Sequence, residues 1–577
     1  MWAPFAQQVN LVIDGSCHGM RRAPGDWWRT KVDYAGPGTR YGFSLDGGPV
    51  RPDPRSRSQP DGVHAPSALV DADGFPWTDQ MWKGISARGL LLYELHIGTF
   101  TPEGTFDAAI QRLDHLVALG VSAVELMPVA EFPGTRGWGY DGVDLFAPHH
   151  GYGGPDGLKR FVDACHCKGM GAVLDVVYNH LGPSGNYLRE FGPYFSGRYQ
   201  TNWGAAVNFD GPGSDEVRRF VIDNAKYWLE EYHFDGLRLD AVHAIVDESA
   251  CHILEELAVE VDALATHLGR PLFVIAESDR NDPRLARSRG AGGYGLDGVW
   301  ADDWHHALHA VLTGDRVGYY SDFGSLGPLA KALRQAWVYD GIWSEHRGRR
   351  HGRSPVGLAG HRFVVFTQNH DQVGNRAAGD RLAALVGEGR QKIAAALLLT
   401  APFTPMIFQG EEWAASSPFQ YFTDHDDPKL ARAVSEGRRN EFTSFGWDPS
   451  EVPDPQSHDT FRRSKLDWQE LDKEPHDNIL DWYRTLIELR RCHAELSDPL
   501  PGSTVVEASD ELGTVTVRRG SIRVAVNLSA GDRAFDLPPD CETLASSAPS
   551  IRTEQGQLVL PPDSVVILKD PPDTLKS

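Results

Sequence analysis

With 577 residues, the chain exceeds one ordinary domain and has room for a large core flanked by smaller modules. Acidic residues outnumber basic ones, 79 against 56, giving a formal charge of -23 that is spread along the chain rather than gathered into a tail. This balance speaks against nucleic acid or an anionic membrane surface as a partner, and for a neutral ligand.

The 16 Trp and 17 Tyr fit that ligand, because aromatic faces suit sugar rings as well as cores, although most of them belong to the core. Six cysteines are few and unpatterned for this length. Cys165-His-Cys167 lies in an amphipathic helical stretch with the wrong spacing for a zinc knuckle, which points to free thiols in a reducing compartment. The first residues show no basic segment leading into an apolar one, and no apolar run approaches the roughly 18 residues of a membrane span. A cytoplasmic protein without a membrane partner is expected.

In chain order, residues 1–13 alternate like a half-buried strand and Tyr41-Gly-Phe-Ser-Leu45 like another, with Gly- and Pro-rich turns between them. They predict a small N-terminal β-sandwich that ends near residue 70. Residues 52–66 carry no hydrophobic period and read as an extended linker clamped onto neighbouring surface.

From residue 90 the pattern changes to strand alternating with helix. Strands are predicted at 90–96, 121–127, 171–178, 234–240, 272–276, 298–300, 363–367 and 405–408. Phe106, Ile110, Leu113 and Val117 mark one helix stopped by Gly120, and residues 158–168 and 217–229 carry further helical faces. Eight β-then-α units predict an α/β fold, a parallel (β/α)8 TIM barrel over 71–497, closed by a helix at 479–496. Period-two segments at 513–518, 522–527 and 564–568 predict a C-terminal β-sandwich over 498–577.

In such barrels chemistry sits at the C-terminal ends of the strands. Four ends carry ionisable clusters here: Asp175-Val-Val-Tyr-Asn-His180, Arg238-Leu-Asp240, Glu277 and Asn369-His-Asp371. A lone Asp at a strand end is usually a helix cap, and a buried Arg–Asp pair is often structural. Four such clusters on one barrel are hard to explain by stability alone. Asp240 and Glu277 fall on adjacent strands, so they can flank a glycosidic bond at the roughly 5 to 5.5 Å that retaining hydrolysis requires. Arg238, two residues before Asp240 on the same strand face, is placed to hold Asp240 as a carboxylate.

These four segments resemble the signature regions of the α-amylase superfamily, in order and on the expected strands, and the similarity spans nearly the whole chain. The resemblance implies Asp240 as nucleophile, Glu277 as general acid/base and Asp371 as transition-state stabiliser. It implies that His180 and His370 bond sugar hydroxyls and that Tyr140, in Gly-Trp-Gly-Tyr140-Asp141, stacks beneath the reacting ring. Asp175 and Asn179 are implied to support loop geometry.

Within the superfamily, Leu239-Asp-Ala-Val-His-Ala-Ile-Val-Asp247, Thr367-Gln-Asn-His-Asp-Gln-Val-Gly-Asn-Arg376, Trp300-Ala-Asp-Asp-Trp-His-His306 and the linker Gln59-Pro-Asp-Gly-Val-His64 are most similar to maltooligosyltrehalose trehalohydrolases. That implies maltooligosyl trehalose and maltooligosaccharides as partners. A branching or debranching enzyme is the alternative. Ordinary amylases carry Lys-His where this chain has His243-Ala244, so His243, with Trp300 and Asp303 from the segment 300–306, is the candidate for contacts on the leaving-group side. His305, His306 and His309 share a helical face without a carboxylate spaced to close a zinc site, and no Asp-rich calcium loop is present, so no metal or other cofactor is expected.

Overall fold

The computed structural model describes residues 1–443, 451–536, 540–549, 551–554 and 556–571. Its centre is a closed barrel of eight parallel strands: β1 (Leu92–Leu95), β2 (Ala123–Leu126), β3 (Gly171–Val176), β4 (Gly236–Leu239), β5 (Phe273–Ala276), β6 (Gly298–Trp300), β7 (Phe363–Phe366) and β8 (Thr404–Phe408). Each pairs with its chain neighbours, and β8 closes onto β1. The strands are short and buried on both faces, which is why they read as apolar runs. One set of side chains packs inside the barrel, among them Val173, Phe273, Trp300 and Phe366, and the alternate set packs outward under the helices. Leu237 and Leu239 belong to the outer set, so Arg238 between them is turned into the barrel.

The predicted helix over Phe106 to Val117 is two helices, Phe106–Ile110 and Leu113–Leu119. Thr105 caps the first by accepting from the Ala108 amide, and Gly120 ends the second at φ 100. Val117 is 42% exposed, and Leu116 takes the inward position that the spacing assigned to it. The closing helix runs His476–Cys492, with a short Ala494–Ser497 turn after it.

At the N-terminus the first eight residues are not part of a strand. Trp2 instead bridges Trp27 and sets its ring edge-on to Tyr194, 5.5 Å away, in the insertion after β3. The sheet there has five strands, Val9–Ile13, Ser16–Gly19, Arg40–Leu45, Val50–Arg51 and Ser67–Ala68, beside a ribbon of Arg21–Ala23 and Trp27–Arg29. The linker is clamped as expected. Arg55 and Arg57 each form a 2.9 Å ion pair, with Asp223 and Glu231 of the helix Ser214–Glu230 and its cap. Buried Ser56 and Gln59 bond each other at 2.8 Å.

At the other end a five-stranded sheet and a three-stranded sheet pack face to face over Ala525, Leu558, Leu560, Val566 and Leu568. Arg519 joins that module to the barrel by donating to the Thr400 carbonyl at 3.0 Å. Insertions after β3, after β6 and after β8 rise around the C-terminal end of the barrel. They include the hairpins Phe195–Thr201 with Gly204–Val207, and Asp340–Ser344 with Arg349–Gly352. Among the described residues no helix is long and apolar enough to cross a membrane.

Candidate active site

The register of the barrel builds the centre of the site. Asp175 on β3 lies beside Arg238 on β4, and Leu239 beside Ala276 on β5, so Asp240 and Glu277 leave their strands side by side. The Glu277 amide donates to the Leu239 carbonyl at 3.0 Å, and the Asp240 amide to the Val176 carbonyl at 3.0 Å, which continues the ladder to the carboxylates. Arg238, fully buried, is shared among three acids. Its Nη1 donates to Asp175 Oδ2 at 2.6 Å and to Asp240 Oδ1 at 3.0 Å, and its Nη2 lies 3.0 Å from Glu277 Oε2. The ring of Trp300 lies under the guanidinium, 4.2 Å from its carbon.

The second oxygen of Asp240 is held from the loop after β3. Asn179 Nδ2 donates to Asp240 Oδ2 at 2.6 Å and to its carbonyl at 2.9 Å. Glu277 Oε2 accepts the Ala241 amide at 2.7 Å. That amide faces Glu277 because Ala241 adopts a left-handed conformation, φ 40 and ψ 49, a strained choice for a residue with a Cβ and one that recurs at functional sites.

Tyr140 reaches the centre from the loop after β2. Gly139, at φ 102, makes that approach feasible, because any Cβ there would sit 2.1 Å from the Pro128 carbonyl. The Tyr140 hydroxyl lies 2.6 Å from Asp175 Oδ2 and 2.8 Å from His370 Nε2, and its ring stacks on that of His370 at 5.1 Å. His370 Nδ1 is 2.5 Å from Glu94 Oε1, and Asp371 Oδ1 is 3.5 Å from Nε2. Burial would lower the imidazole's affinity for its proton, but Glu94 and Asp371 outweigh it and raise the pKa to about 9.

Negative charge is in surplus around this pair of cations. Burial and then Arg238 act in opposite senses on Asp175, and burial dominates, taking its pKa to about 7. Burial first, together with Glu277 as a negative neighbour, also pushes up the carboxyls of Asp371 and Asp302. His180 sits at the rim with Nδ1 2.5 Å from Asn179 Oδ1 and Nε2 3.0 Å from the Tyr140 carbonyl. Trp203, 48% exposed at the tip of the hairpin after β3, stacks on its ring at 4.9 Å.

Of the residues expected to form the site, Asp240, Glu277, Asp371, Arg238, Tyr140, His180 and His370 converge. Trp300 and Asp303 do not face the cleft. Trp300 is 1% exposed and fills the barrel interior beneath Arg238, where the strand period puts it. Asp303 is buried, and its Oδ2 accepts from Asn281 Nδ2 at 2.7 Å and from the amides of Val338 and Tyr339 at 2.7 and 2.8 Å. Its carboxyl, pushed up to about 6 by burial against those bonds, ties the β6–β7 insertion to the barrel. His305 and His309 are buried in helical packing, with His305 held by the Thr367 carbonyl at 2.8 Å and the Tyr320 hydroxyl at 3.1 Å.

His243 stands on the wall after β4, half-buried, with Nδ1 3.9 Å from Asp279 Oδ1. Arg347, from the tip of the hairpin after β6, donates to Asp279 Oδ2 at 3.0 Å. Burial works to raise the Asp279 carboxyl, but His243 and Arg347 hold it below the usual carboxylate range.

Sequence reasoning gave Asn179 only a loop-supporting role, although it touches the nucleophile candidate. It passed over Glu94, Asp279 and Arg347. The signal for Glu94 was present as one charged residue inside an apolar strand run. Arg347 had none, because a hairpin tip carries no period.

Glu131, His149 and His150 bring possible metal ligand atoms within 4.8 Å of one another. These atoms are committed to protein. Glu131 accepts from the His150 amide at 2.8 Å and pairs with His150 Nδ1 at 2.7 Å, while His149 Nδ1 accepts the Gly151 amide at 3.0 Å and its Nε2 faces the Gly134 carbonyl at 3.2 Å. The group fastens a turn.

Comparison with known proteins places this geometry. Residues 52–201 match the catalytic domain of alpha amylase, and residues 494–567 match a domain of unknown function (DUF3459). A malto-oligosyltrehalose trehalohydrolase of Arthrobacter ramosus is 54% identical, over 92% of this chain and 92% of that one. The chain belongs to the malto-oligosyltrehalose trehalohydrolase family. Its trehalohydrolase fold is also that of a Salmonella typhimurium protein named for the alpha amylases, 41% identical with a TM-score of 0.90 over 99% of this chain and 97% of that one. A 1,4-alpha-glucan branching enzyme of Burkholderia thailandensis, by contrast, is 29% identical over 76% of this chain and 55% of its own length.

Proposed function

We propose that the protein is a retaining glycoside hydrolase that cleaves the α-1,4-glucosidic bond next to the terminal trehalose of a maltooligosyl trehalose, releasing trehalose. The observation that carries this reading is the guanidinium of Arg238 within 3.0 Å of both Asp240 and Glu277, with the two acids at the ends of adjacent strands. A buried guanidinium that bridges two carboxyls at neighbouring strand ends suits a nucleophile and an acid that flank one glycosidic bond.

In the first step Asp240 attacks the anomeric carbon and Glu277 gives its proton to the leaving oxygen. Water then resolves the glycosyl-enzyme with Glu277 as base. Arg238 and Asn179 hold the attacking carboxylate in place, so little reorganisation is needed at the moment of attack. Asp371 and His370 face the sugar across the cleft, and Tyr140 forms the floor. The reacting bond is an ordinary α-1,4 link, so selectivity for trehalose has to come from the leaving-group side. His243, Asp279 and Arg347 supply an ionic wall there, with donors and an acceptor suited to sugar hydroxyls.

The family relationship supports this reading over a branching or debranching enzyme, and product analysis decides it. Incubation with maltotetraosyl trehalose yields free trehalose on this reading. Branched or debranched glucan from amylopectin, with no trehalose from the defined substrate, overturns it. We further assign residues 1–70 to an N-terminal module, 71–497 to the catalytic barrel and 498–577 to a C-terminal module, and place the protein in the cytoplasm. Six unpaired cysteines support a reducing compartment.

A further inference from the structure

The floor of the cleft holds an acid that the reaction above does not use. Glu94 lies on β1, almost fully buried, in register with Glu125 of β2. Both its oxygens serve one residue. Oε1 is 2.5 Å from His370 Nδ1, and Oε2 accepts the His370 backbone amide at 3.0 Å.

The other side of the imidazole is constrained as well. Tyr140 has a single hydroxyl hydrogen, and Asp175 Oδ2, 2.6 Å away, is its acceptor. The hydroxyl oxygen therefore meets His370 Nε2, at 2.8 Å, as an acceptor. A carboxylate on one nitrogen and an accepting oxygen on the other require hydrogen on both. These contacts suit an imidazolium, and the raised affinity of His370 for its proton agrees with them.

We propose that Glu94 is the positioning residue of the site: it keeps His370 doubly protonated and fixes its ring so that Nε2–H meets the Tyr140 hydroxyl and the imidazolium charge lies beside Asp371. Glu94 touches neither Asp240 nor Glu277, so it acts through His370. The charged and titratable groups facing His370 are Glu94 from β1, Glu125 from β2, Tyr140 from the loop after β2, Arg238 from β4, His96 from the turn after β1 and its own neighbour Asp371. Arg238 opposes the imidazolium, and Glu94 and Asp371 favour it. The Asp371 side chain is 35% exposed, while that of Glu94 is 2% exposed, so Glu94 is the member of the pair whose charge water screens less.

This inference rests on the glycosidase reading for its meaning, but its first test does not need substrate. In protein labelled with 15N-histidine, the imidazole signals of His370 are identified by their loss in His370→Asn. In the wild-type protein they are expected to report two bound protons to above pH 8. In Glu94→Gln, which keeps the shape and removes the charge, the titration is expected to move down by at least one pH unit. Titration of wild-type His370 near its ordinary value of about 6.5, or an unchanged midpoint in Glu94→Gln, overturns the proposal even if the enzyme proves to be a trehalohydrolase.

A kinetic arm uses maltotetraosyl trehalose. Glu94→Gln is expected to lower kcat about tenfold at pH 7.5 and less at pH 5.5, with KM within about twofold, and to add no further pH-dependent loss in a His370→Asn background. An equal loss at both pH values, or full additivity with His370→Asn, shows a merely structural role and also overturns it. If Glu94→Gln does not fold, the wild-type titration still decides.

Discussion

Asn179, from the loop after β3, and Arg238, on β4, hold opposite oxygens of Asp240, at 2.6 and 3.0 Å. The carboxylate is thereby fixed in rotation as well as position, with no freedom to turn away from the cleft. A nucleophile held in this way pays its ordering entropy on folding rather than at each turnover.

Asp240→Asn is expected to remove turnover by about four orders of magnitude or more, while oligosaccharide binding stays largely intact. Asn179→Ala deletes the charge-assisted hydrogen bond to the Asp240 carboxyl, worth about 1.5 to 3 kcal/mol, along with the bonds to the Asp240 carbonyl and to His180, so kcat is expected to fall at least roughly ten- to a hundredfold with little change in KM. Steady-state kinetics on maltotetraosyl trehalose check both. A change confined to KM in Asn179→Ala contradicts the contact drawn here.

Trp300 supports Arg238 from below rather than touching sugar, and this makes a prediction opposite to that of a substrate platform. Trp300→Leu removes a buried cation–π contact of about 2 kcal/mol and leaves Arg238 less well placed between its acids. The expected result is a kcat reduced by more than tenfold with KM within about twofold, and some loss of thermal stability. A rise in KM with kcat preserved returns Trp300 to the substrate.

The barrel and its acids were legible because β-strands buried on both faces leave apolar runs with abrupt polar ends, and chemistry in this fold is confined to those ends. The same reading misjudged Trp300 and Asp303 because proximity in sequence to a strand end does not say which way a side chain turns. Trp300 is the last strand residue and points inward, whereas Asp303 is the second residue of a helix and is claimed by backbone amides further along the same insertion. Arg347 and Trp203 were invisible for a different reason. Both sit at hairpin tips brought over the cleft by tertiary packing, and no local period records that.

Trp203 is nearly half exposed, yet it stacks on His180 within the rim of the site. An exposed ring held flat in a carbohydrate cleft offers its other face to a sugar. Trp203→Ala is expected to raise KM about two- to tenfold with a smaller change in kcat, while Trp203→Phe recovers most of the loss. Oligosaccharide binding measured in the Asp240→Asn background isolates the effect from turnover.

Away from the site, Asp79 ties two histidines to the flank of the barrel. Its Oδ2 lies 2.8 Å from His166 Nδ1 and 2.8 Å from His233 Nδ1, and His166 Nε2 lies 3.1 Å from Asp235. Trp82 and Trp77 stack over the two imidazoles at 4.7 and 3.8 Å. Burial raises the Asp79 carboxyl, but its bonds to His166 and His233 prevail and hold it well below the carboxylate range. Burial likewise lowers His166, but Asp235 and Asp79 prevail and raise it.

The two signs define a window. A depressed carboxyl stabilises the fold above its unfolded value of about 4, and the gain is lost as pH falls. A raised imidazole stabilises it below about 6.5, and the gain is lost as pH climbs through the folded value. Asp79→Asn leaves buried His166 without one of its two acids, a change of about 3 kcal/mol. The melting-temperature difference between wild type and Asp79→Asn is therefore expected to peak near pH 5 to 6 and to shrink on either side, measured by thermal unfolding at low and constant ionic strength. A difference that stays flat from pH 4 to 8 shows that Asp79 acts through shape and hydrogen bonding alone, without the charge coupling drawn from this cluster.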